Sequence, residues 1–148
     1  MLRFLWHSLL WVALVVLIIV YPILISVYVT LPLFIGFVGY LFLLGLEGKG
    51  IRYLIFPTLY LLNLEINLFL PMLLSILSVL IYYLLAYPHI LILKRCKVCI
   101  AVISVLGIDV IYLMLLLAYD FIFSSSSVGV NPLLFYSLVF DIIAAVLL

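Results

Sequence analysis

The segment Lys94-Arg95-Cys96-Lys97-Val98-Cys99 interrupts a chain that is otherwise almost continuous hydrocarbon. It contains half of the six basic residues of the 148-residue sequence, in which 72% of the residues are hydrophobic and only 7% are charged. A soluble domain has about 25% charged residues, which it needs to cover its surface. The composition, with a mean hydropathy of +1.68, therefore indicates an integral membrane protein.

The basic residues separate three apolar segments, each long enough for two helical spans of about twenty residues. The runs lack the alternation of a membrane β-barrel, so we predict an all-α polytopic membrane protein with a single transmembrane domain. Basic residues concentrate on the cytoplasmic side, which makes Lys94, Arg95 and Lys97 a cytoplasmic anchor. We expect six transmembrane helices as three hairpins, both termini cytoplasmic. The hairpins cover about residues 4–46, 53–93 and 98–148, and the other basic residues are Arg3, Lys49 and Arg52.

Prolines and glycines indicate how the first hairpin turns. Tyr21-Pro22 and Leu31-Pro32 flank the expected outer turn, and proline commonly ends or kinks a helix. We therefore expect the first helix to end near Pro22 and the second to begin after Pro32. Gly36 and Gly39 in the second helix would let a neighbouring backbone approach closely.

Asn63, Glu65 and Asn67 form a polar group just before Pro71. Residues two apart do not share a helical face, so we predict a locally extended turn over residues 62–71, with its polar side chains on one side. It is either an outer loop that lies shallow in the interface or a polar patch that contacts a partner or ligand. His89 is expected at the interface. It is not expected to bind a metal, because no second histidine or acid stands at metal-ligand spacing.

Asp109 and Asp141 are placed near the midplane of the fifth and sixth predicted helices. An ionisable residue there costs about 2.5–3.5 kcal/mol on insertion scales and usually faces the protein interior or a partner. Three roles are open for the pair: protonated packing contacts between helices, contacts to a partner helix, or part of a proton or cation pathway. The hydroxyl groups available for packing contacts belong to Ser104, Tyr112, Tyr136 and Ser137.

Cys96 and Cys99 form a Cys-x-x-Cys pair, which is a weak signal by itself. A zinc site would need two further ligands. The vitamin K epoxide reductase family has such a pair at the start of a membrane helix but needs a second cysteine pair, and this chain has just two cysteines. Basic neighbours place the thiols on the reducing side and raise their reactivity, which leaves lipidation or incidental oxidation open. We expect no metal and no cofactor.

The sequence offers little catalytic chemistry. It shows no nucleophile–base pair, phosphate-binding glycine loop or paired-carboxylate site, and no basic patch large enough to neutralise the phosphates of a nucleic acid. We therefore predict a protein that is not an enzyme and does not bind nucleic acid. A redox enzyme that uses Cys96 and Cys99 is the remaining enzymatic hypothesis.

The layout resembles the rod shape-determining protein MreD family from about Pro32 to the C-terminus. That family has six spans in roughly this length and almost no extramembrane sequence. Its third helix ends in a turn with an acid and two glycines, where residues 62–71 of this chain have Asn63, Asn67 and Pro71 instead. Its fifth helix can carry an intramembrane aspartate after a serine-containing apolar run, which residues 103–111 resemble through Ser104 and Asp109.

The resemblance implies a non-enzymatic scaffold or assembly subunit in the bacterial cytoplasmic (inner) membrane. It would support cell shape and peptidoglycan elongation by packing against an MreC-like bitopic protein, and through it a RodA-type glycosyltransferase, a class B penicillin-binding protein and cytoskeletal MreB. Asp109, Asp141 and the Asn63–Asn67 turn would be partner contacts. The alternative is a small-solute transport component, such as the substrate-binding membrane subunit of a vitamin transporter, with Asp109 and the polar turn lining a pocket.

Overall fold

The computed structural model describes residues 2–28, 30–93, 95–124 and 132–147, and over these ranges the chain is all-helical. This confirms the predicted all-α class. The helices are α1 (Leu2–Val27), α2 (Ile35–Leu46), α3 (Arg52–Asn67), α4 (Leu74–Leu85), α5 (Tyr87–Ile90), α6 (Lys97–Phe123) and α7 (Pro132–Leu147), with a 3-10 turn at Leu91–Leu93.

α1 continues through Pro22 to Val27, so the prediction that it ends near Pro22 was wrong. Proline lacks an N–H and leaves the carbonyl four residues earlier without its helical donor. That carbonyl belongs to Ile18, and the side-chain amide of Asn63 donates to it at 3.2 Å and to the carbonyl of Ile19 at 3.1 Å. A neighbouring helix thus supplies the missing donor, which allows the proline to stay inside α1.

α2 and α6 form the centre of the bundle. α2 packs against α3, α4, α6 and α7, and α6 packs against α2, α4 and α7. Gly39 of α2 allows this packing, because a Cβ there would lie 3.0 Å from methyl groups of both Val79 and Ile108. The neighbouring backbone predicted to approach Gly39 is not what contacts it, because the close atoms belong to side chains.

Two groups of buried apolar residues fill the two ends of the bundle. One joins the C-terminal half of α2 to the end of α4 and the start of α6: Tyr40, Phe42, Leu43, Leu44, Val79, Tyr82, Tyr87, Ala101, Val105, Ile108 and Ala145. The other joins the start of α2 and α4 to the later parts of α1, α3 and α6: Ile18, Ile25, Ile35, Tyr60, Leu61, Leu64, Leu74, Tyr112 and Leu116. Successive long helices therefore run in opposite directions.

The described basic residues beyond α1 lie at one end of the bundle, which we call the basic end. Lys49 and Arg52 belong to the α2–α3 connection, and Arg95 and Lys97 precede or begin α6. A hydrogen bond from the Tyr87 hydroxyl to Glu47 joins the two regions. Lys94 of the predicted anchor lies outside the described residues.

Over the described residues, one helix is long and apolar enough to cross a membrane, namely α6 with 27 residues. The other apolar helical stretches found are shorter: Val15–Val27, Ile35–Leu46, Leu74–Leu85 and Leu134–Leu147. α2 and α4 have 12 residues each, which is less than the about twenty that a single helical span needs.

The arrangement predicts that the α3–α4 turn and the basic end lie on opposite sides of a membrane. Met72 is 64% exposed in that turn, and Lys49 is exposed at the basic end. In a Cys96→Ser/Cys99→Ser background, a cysteine replacing Met72 should react with an impermeant maleimide on intact cells. A cysteine replacing Lys49 should react only after permeabilisation; equal labelling of both in intact cells would contradict the arrangement.

Candidate functional site

The candidate site is a polar layer between the two apolar groups, built around the start of α2. Residues 31–34 are not helical, so their backbone groups lack the partners that a helix provides. Side chains from three other helices supply them. The Leu33 N–H donates to Ser137 Oγ at 3.0 Å, the Tyr60 hydroxyl donates to the Leu33 carbonyl at 2.9 Å, and the Tyr21 hydroxyl donates to the Pro32 carbonyl at 2.8 Å.

Asp141 completes this layer by binding the first turn of α2. The first four N–H groups of a helix have no partner within the helix, and no side chain within α2 caps its N-terminus. The Gly36 N–H instead donates to Asp141 Oδ2 of α7 at 3.0 Å. Asp141 is 1% exposed, so this is a buried carboxylate placed where the helix dipole favours negative charge.

Asp109 of α6 meets Asp141 at the same glycine. A Cβ at Gly36 would lie 2.5–2.6 Å from the Asp109 carboxyl atoms, so only glycine leaves room for this group. Asp141 Oδ2 accepts the Gly36 N–H, whereas Asp109 Oδ2 and Asp141 Oδ1 are buried with no hydrogen-bond partner among the described residues. Two carboxylates that meet at one glycine repel each other, so burying both in the ionised form is unfavourable.

Glu65 performs the same task for α4. It is 0% exposed, and its two carboxylate oxygens accept the Leu73 N–H at 2.8 Å and the Ser75 N–H at 2.7 Å. α4, like α2, has no local side-chain cap. A carboxylate near the end of α3 therefore replaces the local cap of α4.

The predicted extended turn over residues 62–71 was wrong, because α3 continues to Asn67. Asn63 and Asn67 are one helical turn apart, and the Asn67 amide donates to the carbonyl and to the side-chain oxygen of Asn63 at 2.7 Å each. Asn63 faces α1, whereas Glu65 faces the first turn of α4. Asn63 and Glu65 thus bond two different neighbouring helices, Asn67 bonds Asn63 within α3, and the group forms no single patch.

The hydroxyl groups expected around the aspartates have other partners or none. Ser104 accepts from the Tyr82 hydroxyl at 3.1 Å, and Ser137 accepts from Leu33. The buried Tyr112 hydroxyl has no hydrogen-bond partner among the described residues. Asp141 instead bonds the α2 backbone at Gly36, and the Asp109 carboxyl lies against the same glycine.

Cys96 and Cys99 are joined by a disulfide at the start of α6. Cys96 precedes the first helical residue, and its sulfur accepts the N–H of Cys99 at 3.2 Å. His89 is exposed near this end, as are Arg95 and Lys97. Among the described residues, no three His, Cys, Asp or Glu side chains are grouped so that they could hold a metal ion.

A groove of about 650 Å³ lies between α1, α2 and α3, with Ala144 of α7 at its wall. None of the predicted site residues lines it, so the structure does not join Asp109 to this space. The groove is bounded almost entirely by aliphatic and aromatic side chains, including Tyr21, Phe34, Phe56 and Tyr60.

Sequence reasoning missed that α2 and α4 begin with the same short motif. Leu31-Pro32-Leu33-Phe34-Ile35-Gly36 and Leu70-Pro71-Met72-Leu73-Leu74-Ser75 both end on the residue whose N–H meets a buried carboxylate. In each, the bulky residue before the helix has a positive φ, 53° at Phe34 and 70° at Leu73. This conformation is rare for such residues. The signal available in the sequence was a proline with a small residue four positions later, Pro32 with Gly36 and Pro71 with Ser75.

The crowding at Gly36 predicts a compensating pair of substitutions. Gly36→Ala should destabilise the protein by about 1–3 kcal/mol, because the new methyl group overlaps the Asp109 carboxyl. In an Asp109→Ala background the same substitution should cost less than half as much, since the overlapping group is gone. Thermal unfolding of the four purified proteins in detergent, followed by circular dichroism, measures this coupling. Additive effects would place the Asp109 carboxyl away from Gly36.

The role of Glu65 predicts a large effect from removing a single acid. Glu65→Ala should lower the free energy of unfolding by about 1–3 kcal/mol for each of the two N–H groups left unpaired. Glu65→Gln should have an intermediate effect, because one acceptor oxygen remains. Glu47→Ala is the control at an exposed acid: it removes one acceptor, that of the Tyr87 hydroxyl, so it should cost less than the loss of Glu65, which pairs two N–H groups. Equal unfolding midpoints for Glu65→Ala and Glu47→Ala would rule out the capping role.

Comparisons with known proteins give this chain no family. No protein family matches the sequence, no curated protein matches it, and no solved structure matches the fold. The resemblance to the MreD family is therefore carried by layout and short motifs alone, and the function is argued from the geometry above.

Proposed function

We propose that this chain is a multi-pass membrane protein with six crossings that acts as a non-enzymatic scaffold or assembly subunit, as the MreD resemblance implies. The observation that carries the proposal is the use of its buried acids. Asp141 and Glu65 bind the N-termini of α2 and α4, so these groups maintain the architecture of the chain.

The outer surface supports the membrane location. Large apolar side chains are exposed on α1, α3, α4, α6 and α7, whereas soluble monomers rarely expose extended apolar patches. Examples near the middle of these helices are Val16, Leu59, Leu80, Val110 and Phe140. Such a surface matches the hydrocarbon of a bilayer.

The non-helical stretch before α2 supports counting α2 as a membrane crossing, although the helix alone is too short to span a bilayer. Irregular backbone is tolerated at membrane depth only where protein satisfies its polar groups. Tyr21, Tyr60, Ser137 and Asp141 do this for residues 32–36. A short helix and its preceding stretch can therefore act together as one crossing, and residues 70–75 repeat the arrangement for α4.

The same acids favour the scaffold over the transport alternative. In transporters with discontinuous helices, the N-termini of half-helices point at the substrate. Here the protein's own carboxylates take those positions. The alternative has one observation in its favour, since a groove of about 650 Å³ falls in the size range of ligand pockets, and its walls suit an apolar solute.

The partner proposed from the resemblance is an MreC-like bitopic protein, with the RodA-type glycosyltransferase and class B penicillin-binding protein behind it. Glu65 and Asp141 are buried, so contacts through them would be indirect. The exposed apolar faces offer more surface for a partner helix, and packing in a bilayer depends on such close apolar contact.

The test is purification of the tagged full-length protein from source-cell membranes, combined with its depletion. We expect an MreC-type protein to co-purify in stoichiometric amount and depleted cells to lose rod shape. A tagged polytopic protein of similar size, purified in parallel, controls for nonspecific capture. Normal shape after complete depletion, with no partner recovered, would overturn the scaffold, and a retained small solute would favour the transport alternative.

A further inference from the structure

The groove between α1, α2 and α3 has two chemically different ends. At its inner end the rings of Tyr21, Phe34 and Tyr60 stand together, with the Tyr21 centroid 5.7 Å from that of Phe34 and 6.3 Å from that of Tyr60. Both tyrosine hydroxyls donate to backbone carbonyls of residues 32 and 33. The rings therefore leave mainly hydrocarbon facing the groove.

The other end carries a cation. Arg52 is exposed, lines the groove and is the first residue of α3, at the basic end. Tyr60 lies eight residues further along the same helix, which corresponds to about 12 Å at 1.5 Å per residue. The groove thus offers an apolar channel about 12 Å long with a guanidinium at its mouth. Such a site matches a molecule that has an apolar chain and a charged head group.

The groove suits a hydrocarbon chain. Its volume is about 650 Å³, and its walls are almost entirely aliphatic and aromatic. A single acyl chain is thin enough to follow such a groove between helices.

The charge at the mouth selects the head group. A guanidinium has five N–H donors, so Arg52 can contact a phosphate while keeping its contacts within the chain. Arginine binds phosphate with charge-assisted, often bidentate hydrogen bonds. Anionic lipids are enriched in the cytoplasmic leaflet, where basic residues gain about 1 kcal/mol each.

We propose that this groove is a lipid site: it binds one acyl chain of an anionic phospholipid, with the lipid phosphate on Arg52. The proposal rests on the membrane location in the proposed function and is independent of the scaffold role. The lipid chain lies along α2 and α3 and ends against the aromatic rings.

The test uses dipalmitoyl phosphatidylglycerol and dipalmitoyl phosphatidylcholine, which share their chains and differ in head-group charge. Native mass spectrometry of the full-length protein in detergent should show one phosphatidylglycerol retained in preference to phosphatidylcholine. Arg52→Gln should weaken that binding about fivefold, the equivalent of one basic contact. The matched control Lys49→Gln, at the same end but outside the groove, should leave it unchanged.

The location is tested separately with a phosphatidylglycerol that carries a diazirine at the end of one chain. Irradiation in vesicles should attach it to peptides of α1, α2 and α3, whose residues line the groove. Adducts confined to α6 and α7, or equal binding of both lipids in the wild type and in Arg52→Gln, would overturn the site. A protein that carbonate releases from those vesicles would overturn the membrane location itself, whereas an inserted protein without the adduct would overturn the lipid site alone.

Discussion

Two helices of this bundle have a buried N–H group in their first turn that helical hydrogen bonds leave unpaired, at Gly36 of α2 and at Ser75 of α4. Each unpaired group would cost about 1–3 kcal/mol, and neither α2 nor α4 has a local side-chain cap. The chain meets this constraint with carboxylates from other helices, Asp141 for α2 and Glu65 for α4. These two acids, in a chain with few polar residues, are placed where they accept hydrogen bonds from backbone N–H groups that would otherwise be unpaired.

The acid pair shows how one such bond organises several helices. Gly36 gives the Asp109 carboxyl its space and donates its N–H to Asp141. α2, α6 and α7 therefore meet at one residue, between the two apolar groups of the bundle. In a bilayer the hydrophobic effect does not drive helices together, so close packing and interhelical hydrogen bonds must do so. A glycine flanked by two acids supplies both.

The sequence predicted the helical class well and the breaks in the helices poorly, for a physical reason. Apolar runs and basic groups are local patterns, and the observed α6 (Lys97–Phe123) and α7 (Pro132–Leu147) fall in the third predicted hairpin, at about residues 98–148. Pro22 fails to end α1 because Asn63, 45 residues away, replaces its missing donor. The bond from Gly36 to Asp141 joins residues 105 apart. Local propensity contains no information about such partners, so polar residues were identified as important while their roles were not.

Capping by a distant acid has a consequence that a local cap lacks. A serine or aspartate at the start of its own helix moves with that helix, whereas Asp141 belongs to α7 and Glu65 to α3. Separating α2 from α7 would expose N–H groups and also leave a carboxylate unpaired in low dielectric, which is costly in both respects. A transporter needs two arrangements of its helices with comparable free energy, whereas capping by an acid from another helix stabilises one arrangement. A partner helix can bind a protein of one fixed shape without the free-energy cost of selecting that shape from several. The capping acids therefore favour an assembly role for this chain.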